Sequence, residues 1–235
     1  PEFTNDSQKT ANADHYYIVA SSCRGKSVII REMYEKIFKK DKKLIIIIIS
    51  PSLNTPTFKA IKGNNIIRIN KYNKKTETLI KKIIAVQTEA DLPYRFLIII
   101  DDVTDAYHSG VLNNLFLVNR NQQVSTILSV QYPLILSKRG RSSAKNIIAG
   151  GLNSEECIKV MLESFLGGQL KNELLENPQI LEELRNKTPE DSTSKKITSH
   201  DLINYYRSIT DGNNGHVFFY YNPQKRHMEK FTLTL

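Results

Sequence analysis

The chain has 235 residues, 40% of them apolar, and carries 33 Lys and Arg against 24 Asp and Glu, a formal charge of +9. That apolar content suffices for a packed core and excludes a largely disordered protein. Its two cysteines, Cys23 and Cys157, exclude a disulfide framework and lack metal-ligand spacing. The charge is uneven, +11 over residues 1–153, −5 over 154–191 and +3 over 192–235, so a polyanionic partner is expected for the first two thirds, a solvated Lys-rich surface being the alternative.

Residues 1–14 read as a cloning scar (Pro1, Glu2, Phe3) and a polar segment outside the fold. The first periodic element is His15 to Ala20, a β-branched and aromatic run that predicts a strand, followed by a loop and a helix over Lys26 to Lys39. Lys43 to Ser50 holds six consecutive apolar residues, the pattern of a strand buried on both faces of a parallel sheet. A turn-rich segment leads to a strand at Ile66 to Asn70, a helix over Lys74 to Ala90 and a strand at Phe96 to Asp102. Then come a short helix over Gly110 to Val118 and a buried strand, Val124 to Val130. The longest apolar run, Leu44 to Ile49, is far short of a bilayer span, so no membrane insertion is expected and the protein reads as soluble.

Strands alternating with helices predict an α/β fold with a mostly parallel sheet, spanning residues 15–153. Residues 154–235 read as an extension packed on that core. Ser154 to Leu166 and Gln169 to Arg185 form acidic helices, Ser199 N-caps a helix through Ser208, and His216 to Tyr221 with Glu229 to Leu235 make a β-hairpin. Ligands of such sheets bind beyond the carboxyl ends of the strands. Ser21 to Ser27, Asp101, Asp102 and Gln131 all fall there.

Ala20-Ser21-Ser22-Cys23-Arg24-Gly25-Lys26-Ser27 matches GxxxxGK[ST] at every fixed position but the first. Backbone N–H groups at a helix N-terminus wrap an anion in this motif, so Ser21, Ser22, Cys23, Arg24, Gly25, Lys26 and Ser27 are the candidate phosphate-binding set. Lys26 would reach the β- and γ-phosphates of ATP, and the Ser27 hydroxyl would ligate Mg2+. Nucleotide hydrolysis also needs a carboxylate to hold the Mg2+ shell and another to orient or deprotonate water. Asp101 and Asp102, directly after FLIII, are placed for those roles; otherwise they would merely cap the following loop. About two further strands between loop and carboxylates mark the additional-strand class of P-loop NTPases, in which the next strand ends in a polar sensor, here Gln131.

VASSCRGKS, FLIIIDD and LFLVNRNQQVSTILSVQYP together resemble the FtsK-HerA superfamily, in particular genome-packaging ATPases of large DNA viruses and virophages related to the poxvirus enzyme. The resemblance covers roughly residues 15–150 and implies a RecA-like P-loop ATPase. It departs at Ala20, where Gly is usual, and at Asp102, where many members carry Glu. It makes Arg120 the candidate finger acting on a neighbouring subunit's site, with Arg139 and Arg141 as rivals. It further implies a pentameric or hexameric ring gripping double-stranded DNA by its backbone. Lys138, Arg139, Arg141 and Lys145, on a stretch read as flexible, would make that contact, with Lys71, Lys74, Lys75, Lys81 and Lys82 as a second cluster. Capsid or portal-vertex proteins would recruit the ring, in the virion or at an assembly site in the host cytoplasm. The implied activity is ATP-driven loading of a viral genome into a preformed capsid. A cellular HerA-like DNA-processing translocase, a P-loop small-molecule kinase and a non-hydrolysing nucleotide-dependent scaffold are the alternatives.

Overall fold

The computed structural model describes residues 13–63, 65–90, 94–103, 109–117, 123–187, 196–211 and 216–233. The elements are β1 (His15–Val19), α1 (Lys26–Met33) prolonged by a π turn at Tyr34–Phe38, β2 (Leu44–Ile49), α2 (Pro56–Ala60), β3 (Ile66–Ile69), α3 (Lys74–Ala90), β4 (Arg95–Asp101) and α4 (Gly110–Leu117). There follow β5 (Val124–Val130), α5 (Lys138–Ser142), β6 (Asn146–Ala149), α6 (Glu155–Met161) with a π turn at Leu162–Leu166, α7 (Gly167–Glu176), α8 (Pro178–Lys187), α9 (Ser199–Thr210), β7 (Val217–Asn222) and β8 (His227–Thr232).

The eight strands form one sheet in the order β3-β2-β4-β5-β1-β6-β7-β8. Six are parallel, from β3 to β6, and β7 and β8 add on antiparallel. β5 is inserted between β1 and β4, and β2 and β3, the two strands between loop and carboxylates in sequence, lie beyond β4. Side chains alternate across the pleat. Tyr17, Val19, Ile47, Ile49, Ile98 and Ile100 face one core, under α4, α6, α7 and α9. Tyr16, Ile18, Ile46, Ile48, Leu97 and Ile99 face the other, under α1 and α2. The isoleucine runs are continuous in sequence because both faces of the central strands are covered.

The C-terminal part differs from the sequence expectation in four places. β6, four residues led by Asn146, carries too short a pattern to be read as a strand, yet it is buried throughout and pairs with β1. Through β6 the hairpin continues the central sheet instead of packing outside it. Its turn falls at Pro223–Arg226, where Asn222 Oδ1 accepts from the Gln224 and Lys225 amides. The helix expected from Gln169 to Arg185 breaks at Asn177, because Pro178 is suited to a first helical turn and not to an interior. Thr198, not Ser199, caps α9, in a reciprocal capping box with Asp201.

Candidate active site

β1 delivers the chain into the loop with its sheet pairing intact. The Ala20 amide donates to the Val130 carbonyl at 3.2 Å and the Ser21 amide to the Gly151 carbonyl at 2.9 Å. Ala20 is fully buried, and the left-handed residues of the loop are Cys23 (φ 59°) and Gly25 (φ 88°). The first motif position here needs no glycine. Gly25, as N-cap of α1, needs its freedom, and Cys23 adopts a conformation that costs an L-residue roughly 1–2 kcal/mol.

Lys26 is buried, and its Nζ donates to the Ala20 and Ser21 carbonyls, both at 2.8 Å. Burial pushes its pKa down, and the charges of Asp102 and Asp101 act against that shift. A cavity of about 280 Å³ opens in front of it, lined by Ser22, Cys23, Gly25, Lys26, Ser27, Val28, Ser52, Asp101 and Asp102. One concavity thus joins the phosphate loop to the carboxylate pair. Arg24 turns away from it, pairing with Asp211 at 3.1 Å and packing on Gly151.

Asp101 ends β4 with only 2% of its surface exposed. Its Oδ2 accepts from Ser50 Oγ at 3.2 Å, and its Oδ1 is buried without a hydrogen-bond partner. Burial raises its pKa and the neighbouring Asp102 adds to the rise, while the nearby Ser129 hydroxyl, Lys26 and the Ser50 hydroxyl oppose it. A buried carboxylate oxygen that meets no partner at hydrogen-bond geometry, on a cavity shared with Ser27, fits Mg2+, which prefers hard oxygens and completes its shell with water and substrate phosphates. Among the described residues no three His, Cys, Asp or Glu side chains converge as an all-protein metal cage.

Asp102 also occupies the left-handed region, at φ 51°. Its amide donates to the Ser129 carbonyl at 3.0 Å, and its Oδ1 accepts from Gln131 Nε2 at 2.7 Å. The backbone turn and the glutamine fix where this carboxylate points. Gln131 follows β5, so the inserted strand is what brings it to Asp102.

Sequence reasoning missed the support of this site. Ser50 sits at the end of β2 on the same sheet edge as the motifs and could have been found by that rule. The strap after β6 had no such signal beyond its paired glycines. There the Asn153 amide donates to Ser21 Oγ at 3.0 Å, and Tyr206 of α9 donates to the Gly150 carbonyl. A Cβ on Gly150 would come within 2.4 Å of Phe218.

The basic residues after β5 are only partly available. Residues 138–142 form α5, not a flexible stretch, with Ser137 as its N-cap. Lys138 and Arg139 are exposed. The Arg141 guanidinium is buried, donating to the Leu136 carbonyl at 2.7 Å and to Ser164 Oγ at 3.2 Å. Lys145 is paired with buried Asp14 at 2.7 Å. Lys71, Lys74, Lys75, Lys81 and Lys82 are exposed around α3, and Arg120 lies outside the described residues.

Residues 2–190 match the family model described as Poxvirus A32 protein. No curated protein sequence matches the chain. Among solved structures, B204, the DNA-packaging ATPase from Sulfolobus turreted icosahedral virus, is 14% identical with a TM-score of 0.61, over 94% of this chain and 98% of that one. The genome packaging NTPase B204 from Sulfolobus turreted icosahedral virus 2, in complex with AMPPCP, is 14% identical with a TM-score of 0.59, over 94% and 98%. EccC from Thermomonospora curvata is 11% identical with a TM-score of 0.56, over 95% of this chain and 37% of that one. These likenesses share the RecA-like fold. The family match spans most of the chain, which belongs to the Poxvirus A32 protein family and is a genome-packaging ATPase of the FtsK-HerA type.

Proposed function

We propose that the protein couples ATP hydrolysis to movement of double-stranded DNA into a preformed viral capsid, working as a ring of five or six copies. The observation that carries this reading is the Gln131–Asp102 hydrogen bond beside the Lys26 cavity. It joins a strand-end sensor to the carboxylate placed to act on water. Lys138 and Arg139, on the same connection a few residues beyond Gln131, are exposed and suited to phosphate contact without base reading. A shift at the sensor would thereby reach the DNA contact within one segment.

In the hydrolytic step, Lys26 leaves its two carbonyl partners for the β- and γ-phosphates, assisted by the loop amides. Ser27 and Asp101 would hold Mg2+, which neutralises phosphate charge when bound. Asp102 orients or deprotonates the attacking water, and Gln131 keeps its carboxylate in place. Arg120 is the residue we assign to the neighbouring subunit's site, since Arg141 is engaged inside its own subunit. No helix among the described residues is long and apolar enough to cross a membrane. That is in keeping with an assembly site in the host cytoplasm, where capsid or portal-vertex proteins would recruit the ring.

ATP turnover with and without duplex DNA tests the reading. Wild type is expected to hydrolyse ATP faster with DNA, and Lys26→Ala to be inactive in both conditions. Equal rates in the two proteins would overturn it.

A further inference from the structure

A second cavity, larger than the nucleotide cavity, lies away from it. A cleft of about 530 Å³ lies at the β3 edge of the sheet, where the π turn after α1 passes over the starts of β2 and β3. Tyr34, Phe38, Leu44, Ile46 and Ile66 line it together with the polar Asp41 and Asn65, and Lys39, Lys42 and Lys62 border it. The Lys42 and Lys62 side chains are exposed and enter no ion pair among the described residues, whereas Lys39 pairs with Glu35 and Asp41 with Arg95. The cleft therefore offers apolar side chains beside two lysines, Lys42 and Lys62, that are not ion-paired among the described residues. Neither the phosphate loop nor the carboxylate pair touches it.

The complement is on the same chain, at the opposite edge. α7 is tied to β8, the last strand of the sheet, by Lys230 Nζ donating to Glu173 at 2.6 Å. Where α7 gives way to α8, Leu175 stands 60% exposed. Glu176 follows it and Glu182 and Glu183 lie on α8, all exposed and without ion pairs among the described residues, while Lys171 is exposed one turn before it. An exposed leucine with these three glutamates following it in the chain complements a cleft that holds apolar side chains and the lysines Lys42 and Lys62.

We propose that these two surfaces meet between copies, Leu175 of one subunit entering the Tyr34–Phe38 cleft of the next while Glu176, Glu182 and Glu183 face Lys42 and Lys62. The contact is heterologous, because different patches at opposite sheet edges are paired, and such a contact repeats head to tail until it closes on itself. The −5 of residues 154–191 then has a basic counterpart on the neighbouring copy. Charge pairing sets the register and burial of Leu175 supplies the apolar anchor. This inference names the surfaces of the ring and rests on the reading of the protein as a multi-subunit motor.

The test is sedimentation velocity over a range of protein concentrations with a non-hydrolysable ATP analogue. It compares wild type with Lys42→Glu/Lys62→Glu, with Glu182→Lys/Glu183→Lys, with the four changes combined, and with Leu175→Ser. Each two-site reversal, and Leu175→Ser, is expected to raise the concentration needed for assembly roughly tenfold, and the combined protein to recover most of the loss. Circular dichroism spectra should match that of wild type in all of them, which shows that they are folded. Assembly of the reversed proteins at wild-type concentrations, or a combined protein no better than its parents, would overturn the pairing and leave the ATPase reading standing. A wild type that stays monomeric would overturn the pairing outright, while the motor reading itself is judged separately by DNA-stimulated ATP turnover.

Discussion

Replacing Gln131 by Ala removes the one side-chain hydrogen bond on the Asp102 carboxylate among the described residues, at 2.7 Å from Gln131 Nε2. Asp102 and Gln131 are both half-buried, so water can replace the lost donor and stability should change little. Orientation is what is lost. A hydrogen bond to a charged group is worth about 1.5–3 kcal/mol, and each 1.36 kcal/mol of transition-state stabilisation is about tenfold in rate. Gln131→Ala should therefore lower kcat by roughly 10- to 150-fold if Asp102 positions the water. The KM for ATP should stay within about threefold, because Lys26 and the loop amides are untouched. Steady-state ATPase kinetics with saturating duplex DNA measure both constants. A kcat within twofold of wild type, or a raised KM at unchanged kcat, would refute the coupling of Gln131 to Asp102.

Asp101 has a raised pKa through burial, so in the folded protein it retains its proton to higher pH than in the unfolded chain. It therefore weakens the nucleotide-free protein at neutral pH, and that penalty fades as pH falls through the folded pKa toward the unfolded value near 3.8. Asp101→Asn should accordingly melt a few degrees higher than wild type at pH 7, lose the advantage near pH 4, and lose Mg2+-dependent ATP turnover; a lower melting point at pH 7 would contradict this. Gly150→Ala forces a methyl to within 2.4 Å of Phe218 at the strap behind the phosphate loop. It should cost about 1–3 kcal/mol by thermal or denaturant unfolding, and an unchanged midpoint would show that the strap yields freely. Lys138→Ala/Arg139→Ala should weaken duplex DNA binding equally for all sequences and lower the salt slope by about 0.9 per lost phosphate contact, whereas Arg141→Ala should act mainly on stability.

Much of this was legible in the sequence because the signals are local. Runs such as Leu44–Ile49 and Phe96–Ile100 mark strands covered on both faces, and the loop, the Asp pair and Gln131 fall at their carboxyl ends as parallel topology requires. What escaped depends on partners distant in sequence. β6 is recognisable only from its pairing with β1 and β7, and it is this strand that draws the terminal hairpin into the sheet. Charge is visible in a sequence, but its occupation is not. Arg141 and Lys145 look like free cations until Leu136, Ser164 and Asp14 are seen beside them. Ser50 is 51 residues from the carboxylate it holds. The break at Asn177-Pro178 was a different kind of miss, since Pro178 states it locally.

The central claim is that ATP hydrolysis at the Lys26 cavity moves duplex DNA. Displacement of a third strand from a duplex carrying a triplex block, followed in time after adding ATP, tests it most directly. We predict displacement by wild type that requires hydrolysable ATP and is absent in Lys26→Ala. Sustained ATP hydrolysis on that duplex without displacement would contradict the account.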